Sequence, residues 1–481
     1  MEEADLSSLA ATERQQVLPF GRVVNFAPGP ACLPVEVLLE AQRDLLNWRG
    51  CGMSVLEMSH RGRYYRKMME ETKGNLSSLL ELPSSHHLLF MQGGATLQFA
   101  AQPLNMLRFF KDTADYVITG NWSAYAFKEA GKYGNMRVAA DTKANGFVDL
   151  PPVSEWTLNP NAAYVHYCDN ETVYGVEFPR TPNLSEAQLL SPEEVPLFSS
   201  PSSLGSLSAN GHKEGERHGD GDASFGGDSN TKLRLTSDMS SNFCSRPIDI
   251  DAHALIVAGA QKNIGPAGVT IVIARDDILG KELDVCPSMC SYALCKNADS
   301  ALNTPPVFSM YMVGLMAKYL RKQGGLAAWS EVCEAKAKKI YDAIEASDFF
   351  VCPVARDARS RINVRFSVVG PSLGEEYERE EEGGEQAGGA KKEKNRAEDV
   401  ELAKKFLREA EERGLYHLEG HRTLGGCRVS LYTGMPMEGV EALVQFMKEF
   451  AEENGDASPE AKKPRREQRE TAKSGNAQEQ S

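Results

Sequence analysis

Short apolar runs alternate with longer amphipathic stretches along most of the chain, and this alternation sets the expected fold. Residues 87–91, 114–118, 162–168 and 232–238 read as strands, each ending in polar residues or glycine. Helical spacing follows the early ones, from Gly94 to about Leu107 and onward from Ser123. Upstream, residues 23–26 form a short strand. A helix opens at Leu33-Pro34 and runs through Trp48, and a second covers about 64–80. Residues 252–257 and 269–274 are two more apolar strands, and Ala258 to Gly268 is a glycine-rich turn between them. In the C-terminal region, 362–366 and 426–431 read as strands and 397–412 as an amphipathic helix. Strands alternating with helices predict an α/β protein with a large, mostly parallel sheet covered on both faces, followed by a smaller α+β unit. In such sheets ligands gather at the carboxyl ends of the strands.

Three stretches interrupt the pattern. Residues 183–231 are rich in Ser, Gly, Pro, Glu and His and read as a disordered insertion; 371–396 is a second, with a Glu run followed by lysines. A polar tail runs from 454 to 481, its Lys462-Lys463-Pro464-Arg465-Arg466 cluster read as solvated. The expected organisation is a loose extension over 1–20 and a segment at 21–35 packing on the small domain. A large domain over 36–320 and a small domain over 321–453 follow. At 481 residues, with 41% hydrophobic and 25% charged content, the chain has ample material for two packed units. A net charge of −14 argues against a general nucleic-acid binder, though not against a local basic pocket. The acidic N-terminus lacks the apolar segment of a secretory signal, and no apolar run nears the roughly 20 residues that span a bilayer. The ten cysteines show no staple-like spacing. Cys286, Cys290 and Cys295 lack the paired spacing and fourth ligand of a zinc site. No metal is expected, and the setting expected is the reducing cytoplasm.

The candidate chemistry sits on the glycine-rich turn. Lys262 lies between two strands that read as buried, where desolvation lowers an amine's pKa and frees it to attack a carbonyl. An electron-sink cofactor makes such an amine useful. Pyridoxal phosphate needs a lysine for its aldehyde, an acid for its ring nitrogen, a flat group on its ring and donors for its phosphate. Asp238 ends a strand and supplies the acid. Trp122 follows a strand and supplies the flat group. Gly94, Ala95 and Thr96 open a helix, where free amides and the dipole favour an anion. Thr172 offers a hydroxyl to the ring oxygen. Singly each has an ordinary structural reading; together, at the strand ends of one sheet, they favour the cofactor.

Longer stretches then show a resemblance. Asn25-Phe26-Ala27-Pro28-Gly29-Pro30-Ala31, Met58-Ser59-His60-Arg61-Gly62, Gly93 to Phe99, His166 to Thr172, Ser237 to Ser241, Ala258 to Gly268, Asn303-Thr304-Pro305-Pro306 and Gly420-His421-Arg422 resemble the phosphoserine aminotransferase family. These are class-V enzymes of the aspartate-aminotransferase-like, fold type I, pyridoxal-phosphate group. The resemblance implies that Lys262 carries the cofactor and moves the substrate proton, with Asp238 on the pyridine nitrogen, Trp122 stacked and Thr172 on the ring oxygen. It assigns the phosphate to Ala95, Thr96 and Gln261, with Asn303 and Thr304 reaching the phosphate of the other subunit's cofactor in a homodimer. His60, Arg61, His421, Arg422 and Arg428 are implied to bind the substrate's carboxylate and phosphate. The implied reaction is 3-phosphohydroxypyruvate plus L-glutamate giving O-phospho-L-serine plus 2-oxoglutarate, a step of serine biosynthesis. Some members also form 4-phosphohydroxy-L-threonine in pyridoxine biosynthesis. Family members differ at the Ala95-Thr96 pair. An alanine–glyoxylate aminotransferase or cysteine desulfurase would keep Lys262 and Asp238 but would not need the basic cluster. A desulfurase would also need a catalytic cysteine. A non-catalytic scaffold would need none of the lysine, acid and tryptophan.

Overall fold

Seven strands form the central sheet of the structure, a computed structural model that describes residues 18–191, 193–194, 233–369 and 389–455. They are β1 (His86–Met91), β2 (Thr113–Ile118), β3 (Asn135–Asp141), β4 (Val165–Cys168), β5 (Leu235–Asp238), β6 (His253–Gly259) and β7 (Thr270–Arg275). Their spatial order is β1-β7-β6-β5-β4-β2-β3. All neighbours pair in parallel except β7, which runs against both β6 and β1. Six strands therefore point one way, and the loops leaving β1, β2, β4, β5 and β6 open on one edge. Strands β4, β5 and β6 are buried at every position, as parallel strands covered on both faces must be.

The helices in order are α1 (Val35–Asp44), α2 (Arg63–Leu80), α3 (Gly94–Met106), α4 (Asn121–Ala130), α5 (Tyr292–Asn297), α6 (Val307–Lys322), α7 (Gly325–Glu345), α8 (Gly389–Glu412) and α9 (Met437–Asn454). The side chains of β6 divide between two cores, as a period of two requires. Ile256 and Ala258 join Met68 and Leu76 of α2 and Met310 of α6. Leu255 and Val257 join Phe99 and Leu104 of α3. A third core belongs to the C-terminal unit. There β8 (Phe350–Val351), β9 (Asn363–Val368) and β10 (Cys427–Ser430) form an antiparallel sheet in that order. Its centre is Phe406, ringed by Phe350, Phe366, Phe446 and Phe450 at 4.9–6.0 Å between ring centroids. Val24 and Asn25 pair in parallel with Leu415 and Tyr416, which ties the N-terminal segment to this unit.

Four expectations are corrected. The helix expected to reach Trp48 stops at Asp44, because Asn47 Oδ1 accepts the Gly52 amide at 2.7 Å and Arg49 turns left-handed at φ 48°. The insertion expected from 183 begins later. Asn183 caps the turn Leu184–Glu186, Gln188–Leu189 pairs in parallel with Thr157–Leu158, and Leu184 packs on the cluster holding Trp156. The second insertion ends sooner than 396, since α8 starts at Gly389, where lysine, alanine and glutamate favour helix. The N-terminal extension expected to be loose through residue 20 cannot include Leu18, which is buried in the small core. The rest of these stretches, residues 1–17, 195–232, 370–388 and 456–481, lie outside the described residues. Among the described residues no helix is long and apolar enough to cross a membrane.

Candidate active site

The loops at the open edge of the sheet enclose a cavity of about 280 Å³. Lys262 enters it from the β6–β7 turn. Its Nζ donates to Thr172 Oγ1 at 2.7 Å and lies 5.2 Å from the centre of the Trp122 ring. Burial lowers the lysine's pKa, and the carboxylates of Asp238 and Glu171 pull in the opposite direction. The turn is pinned from both sides. Asn263 donates to Phe243 O at 2.6 Å, and its Oδ1 accepts from the Thr433 amide at 2.8 Å and the Thr433 hydroxyl at 3.0 Å. The N-terminal segment lies over it: Ala31 donates to Gln261 O at 2.9 Å, and a side chain on Gly29 (φ 129°) would begin 3.2 Å from Lys262 Cγ.

Asp238 ends β5 and is buried. Its Oδ1 accepts from the Ser240 amide at 2.9 Å and the Ser240 hydroxyl at 2.6 Å. That hydroxyl in turn accepts the Gly259 amide at 2.9 Å, so the acid is tethered to the strand leading to the lysine. Burial raises the Asp238 pKa and Lys262 lowers it. Beside it, α3 starts at Gly94 after the left-handed Gly93 (φ 88°), with Gly94 itself at 67°. The first ladder bond is Leu97 to Gly93 O, which leaves the Gly94, Ala95 and Thr96 amides outside the helix's own ladder. Ala95, Thr96 and Gln261 all line the cavity.

The small domain contributes Arg428 on β10 and His421 on the preceding loop. Arg428 is 7% exposed, and its Nε has no hydrogen-bond partner. Burial lowers its pKa, and burial together with Arg428 and Arg422 lowers that of His421. An arginine held dry and unsatisfied is a seat for an anion.

The single chain does not gather every residue expected here. His60, Arg61, Arg422, Asn303 and Thr304 do not line the cavity. Arg61, Arg422, Asn303 and Thr304 are exposed. His60 stacks edge-on against Tyr65, with 6.4 Å between the rings, and Asn303 Oδ1 accepts from Gln92 at 3.0 Å. The basic cluster within one chain is thus His421 and Arg428. Sequence reasoning gave no role to Ser240, Asn263, Pro28, Gly29 or Glu171. Their contacts are to neighbouring backbone and side chains of distant elements, which residue type alone does not reveal.

The aminotransferase class-V family model matches residues 23–188 and 229–443. The chain belongs to the class-V aminotransferases. Within that family it is 43% identical over 434 residues to the phosphoserine aminotransferase of Laribacter hongkongensis (strain HLHK9), covering 90% of this chain and 99% of that one. Among solved structures, the phosphoserine aminotransferase of Bacillus circulans subsp. alkalophilus superposes with a TM-score of 0.73 at 35% identity, covering 90% of this chain and 99% of that one. The pyridoxal-phosphate-bound phosphoserine aminotransferase of Trichomonas vaginalis gives 0.70 at 34%, covering 89% and 100%. A class-V aminotransferase of fold type I accounts for the large sheet, the small C-terminal unit and the cavity between them.

Proposed function

We propose that the protein is a pyridoxal-phosphate-dependent phosphoserine aminotransferase, converting 3-phosphohydroxypyruvate and L-glutamate to O-phospho-L-serine and 2-oxoglutarate. The observation that carries this reading is one cavity that brings together Lys262, bonded to Thr172 beside the Trp122 ring, with Asp238 and with Arg428, whose Nε has no partner among the described residues. The names of relatives at about 40% identity supply the substrate.

The side chains present fit the cofactor. Trp122 walls the ring, Asp238 offers a carboxylate to the ring nitrogen, and Thr172 offers a hydroxyl to the ring oxygen. The Ala95 and Thr96 amides with Gln261 suit the phosphate. When bound, pyridoxal phosphate supplies an electrophilic carbon and an electron sink. The protein's own groups do the rest. Lys262, its proton affinity lowered by burial, would carry the proton between the substrate's α-carbon and the cofactor. Asp238, tethered through Ser240, keeps a proton on the ring nitrogen. Arg428 binds the α-carboxylate common to both substrates, and its fork suits that group better than a lysine would. His421, with Arg422 beside it, takes the phosphate or the side-chain carboxylate of glutamate. A desulfurase reading is disfavoured, because no cysteine lines the cavity among the described residues. Cys168, near Lys262, has its thiol pKa pushed well up by burial.

His60, Arg61, Asn303 and Thr304 fit this reading as groups that complete the site of a second copy. They stand outside their own chain's cavity, and Asn303 and Thr304 follow Leu302, which is 40% exposed. A cytoplasmic setting belongs to the same proposal, on the absence of any staple-like cysteine spacing.

Single-turnover kinetics with phosphoserine and glutamate separately test the assignment. Arg428→Lys should slow both half-reactions. His421→Ala with Arg422→Ala should harm phosphoserine more, by about tenfold, since a dianionic phosphate makes more charge-assisted bonds. Equal losses on both substrates would remove the phosphate role.

A further inference from the structure

Glu171 is a second acid near Lys262, and it does not line the cavity. The residue is fully buried on the short hairpin Asn170–Glu171/Val176–Glu177. Its side chain reaches the amino end of α4. Oε2 accepts the Trp122 amide at 3.0 Å, and Oε1 accepts the Ser123 amide at 2.8 Å and the Ser123 hydroxyl at 2.7 Å. The Ser123 oxygen also accepts the amides of Thr119 at 3.0 Å and Gly120 at 3.1 Å. Its one proton is therefore directed at Glu171, the alternative acceptor, Gly120 O, lying farther off at 3.3 Å. Burial, with the nearby Asp238, raises this carboxylate's pKa overall, while its three donors and the positive end of the helix favour the ionised form. The chain makes room for it at Gly120, where a side chain would begin 2.6 Å from Glu171 Cδ. The helix thus takes its cap from a residue far along the sequence, because its own N-cap position has no side chain.

Beside this carboxylate stand two residues that contact the Lys262 amine. Trp122, whose amide it holds, carries the ring 5.2 Å from Nζ, and Thr172, its neighbour in the chain, accepts the Nζ proton. We propose that Glu171 is a positioning residue for transamination: it caps α4 at a distance, fixes Trp122 and Thr172 around Lys262, and places a buried negative charge behind the lysine. The inference rests on the reading of the cavity as a pyridoxal-phosphate site.

The charged and titratable groups around Lys262 are Asp238 from β5, Cys168 from β4, Glu171 from the hairpin and Arg428 from β10. The first three favour the protonated nitrogen and Arg428 opposes it. Glu171→Gln keeps the shape, removes the charge and sets an amide N–H₂ against the Trp122 N–H. The full-length enzyme, loaded with pyridoxal phosphate, is titrated by its visible absorption band, and cofactor affinity is measured by equilibrium dialysis. The pH midpoint of the band should fall by about half a unit or more, and the dissociation constant should rise about tenfold. Ser123→Ala, which removes one of the three donors, should weaken cofactor binding in the same direction by about two- to threefold. A cap with a purely structural role would lower thermal stability and leave the midpoint in place. A Glu171→Gln enzyme with unchanged midpoint and affinity overturns the proposal, whatever its melting temperature. Should that variant fail to fold, unchanged affinity in Ser123→Ala overturns it instead. A wild-type enzyme with no such band would remove the cofactor reading itself.

Discussion

Burial acts on Lys262 and on His166 in the same sense, but only the lysine is given something to do with the result. Lys262 keeps acids nearby, so its proton affinity is lowered without being abolished. His166, on β4, sits 5.1 Å from the ring of Tyr116 and 6.4 Å from that of Phe99. Its Nδ1 lies 3.2 Å from Thr236 Oγ1 and its Nε2 has no partner. Burial pushes its pKa down to about 3. The unfolded chain takes up this proton below about pH 6.5, whereas the folded chain does so only near 3. The unfolded state binds more protons between those values, so stability rises with pH there. The contribution is complete above about 6.5 and is lost on acidification at up to about 1.4 kcal/mol per pH unit. His166→Phe, which cannot titrate, should be about 1 kcal/mol less stable than the parent at pH 7.5 through loss of the Thr236 bond. The gap should close and reverse by pH 5, as read from urea unfolding at each pH. A gap independent of pH would contradict the buried neutral histidine. Lys262, Asp238, Trp122 and Thr172 were legible in the sequence because each is an unusual residue at a strand end. Glu171 was not, since a carboxylate that serves backbone amides looks like any other glutamate until the fold brings α4 to it.

At the level of elements, the lysine turn shows how a loop becomes rigid. Asn263 is 1% exposed and joins β6's turn to the Phe243 carbonyl of the large domain and to Thr433 after β10. Asn263→Ala would leave the Phe243 carbonyl and the Thr433 amide buried without their partner. Each such group costs about 1–3 kcal/mol. The variant should lose about 2–4 kcal/mol in chemical denaturation, and its cofactor should be released more readily, because Lys262 is adjacent. Unchanged stability would show that water replaces the asparagine. Buried strands were easy to read, since the stretches holding β4, β5 and β6 are short, largely apolar runs that end in polar residues or glycine. Edge strand β3 was missed: its sequence, Asn135-Met136-Arg137-Val138-Ala139-Ala140-Asp141, carries no alternation, and only Ala139 is buried. Its hold on the sheet includes Arg137, which pairs with the buried Asp115 of β2 at 2.9 Å. A pairing between separate strands leaves no periodic trace. The early end of α1 was equally hidden, because Asn47 stops the region through a side-chain contact with Gly52.

Over the whole molecule, one chain builds most of a site and leaves Asn303 and Thr304 exposed beyond it. If a second copy uses them, two inactive variants should rescue each other. Lys262→Ala mixed with the Asn303→Ala/Thr304→Ala double variant, after subunit exchange, should recover about one quarter of wild-type activity, because half the pairs are mixed and each has one intact site. No recovery would separate the two positions from the partner's cavity. The fold class was legible because alternating strands and helices admit few architectures. The bounds of the first insertion were not, since Leu184 and Gln188–Leu189 earn their order from Trp156 and Thr157–Leu158, distant in sequence. The family model makes the same cut, ending at 188 and resuming at 229. Substituting residues 195–228 by about eight Gly/Ser residues keeps the paired Gln188–Leu189 upstream and β5 with Asp238 downstream. Each halving of a loop lowers its closure cost by about 0.6 kcal/mol, so two halvings should raise stability by roughly 1 kcal/mol. The expected enzyme has kcat/KM within about twofold of the parent, an unchanged visible cofactor band and a slightly higher melting temperature. Loss of the band would mean that this stretch supports Asp238, and that its polar composition conceals a structural role.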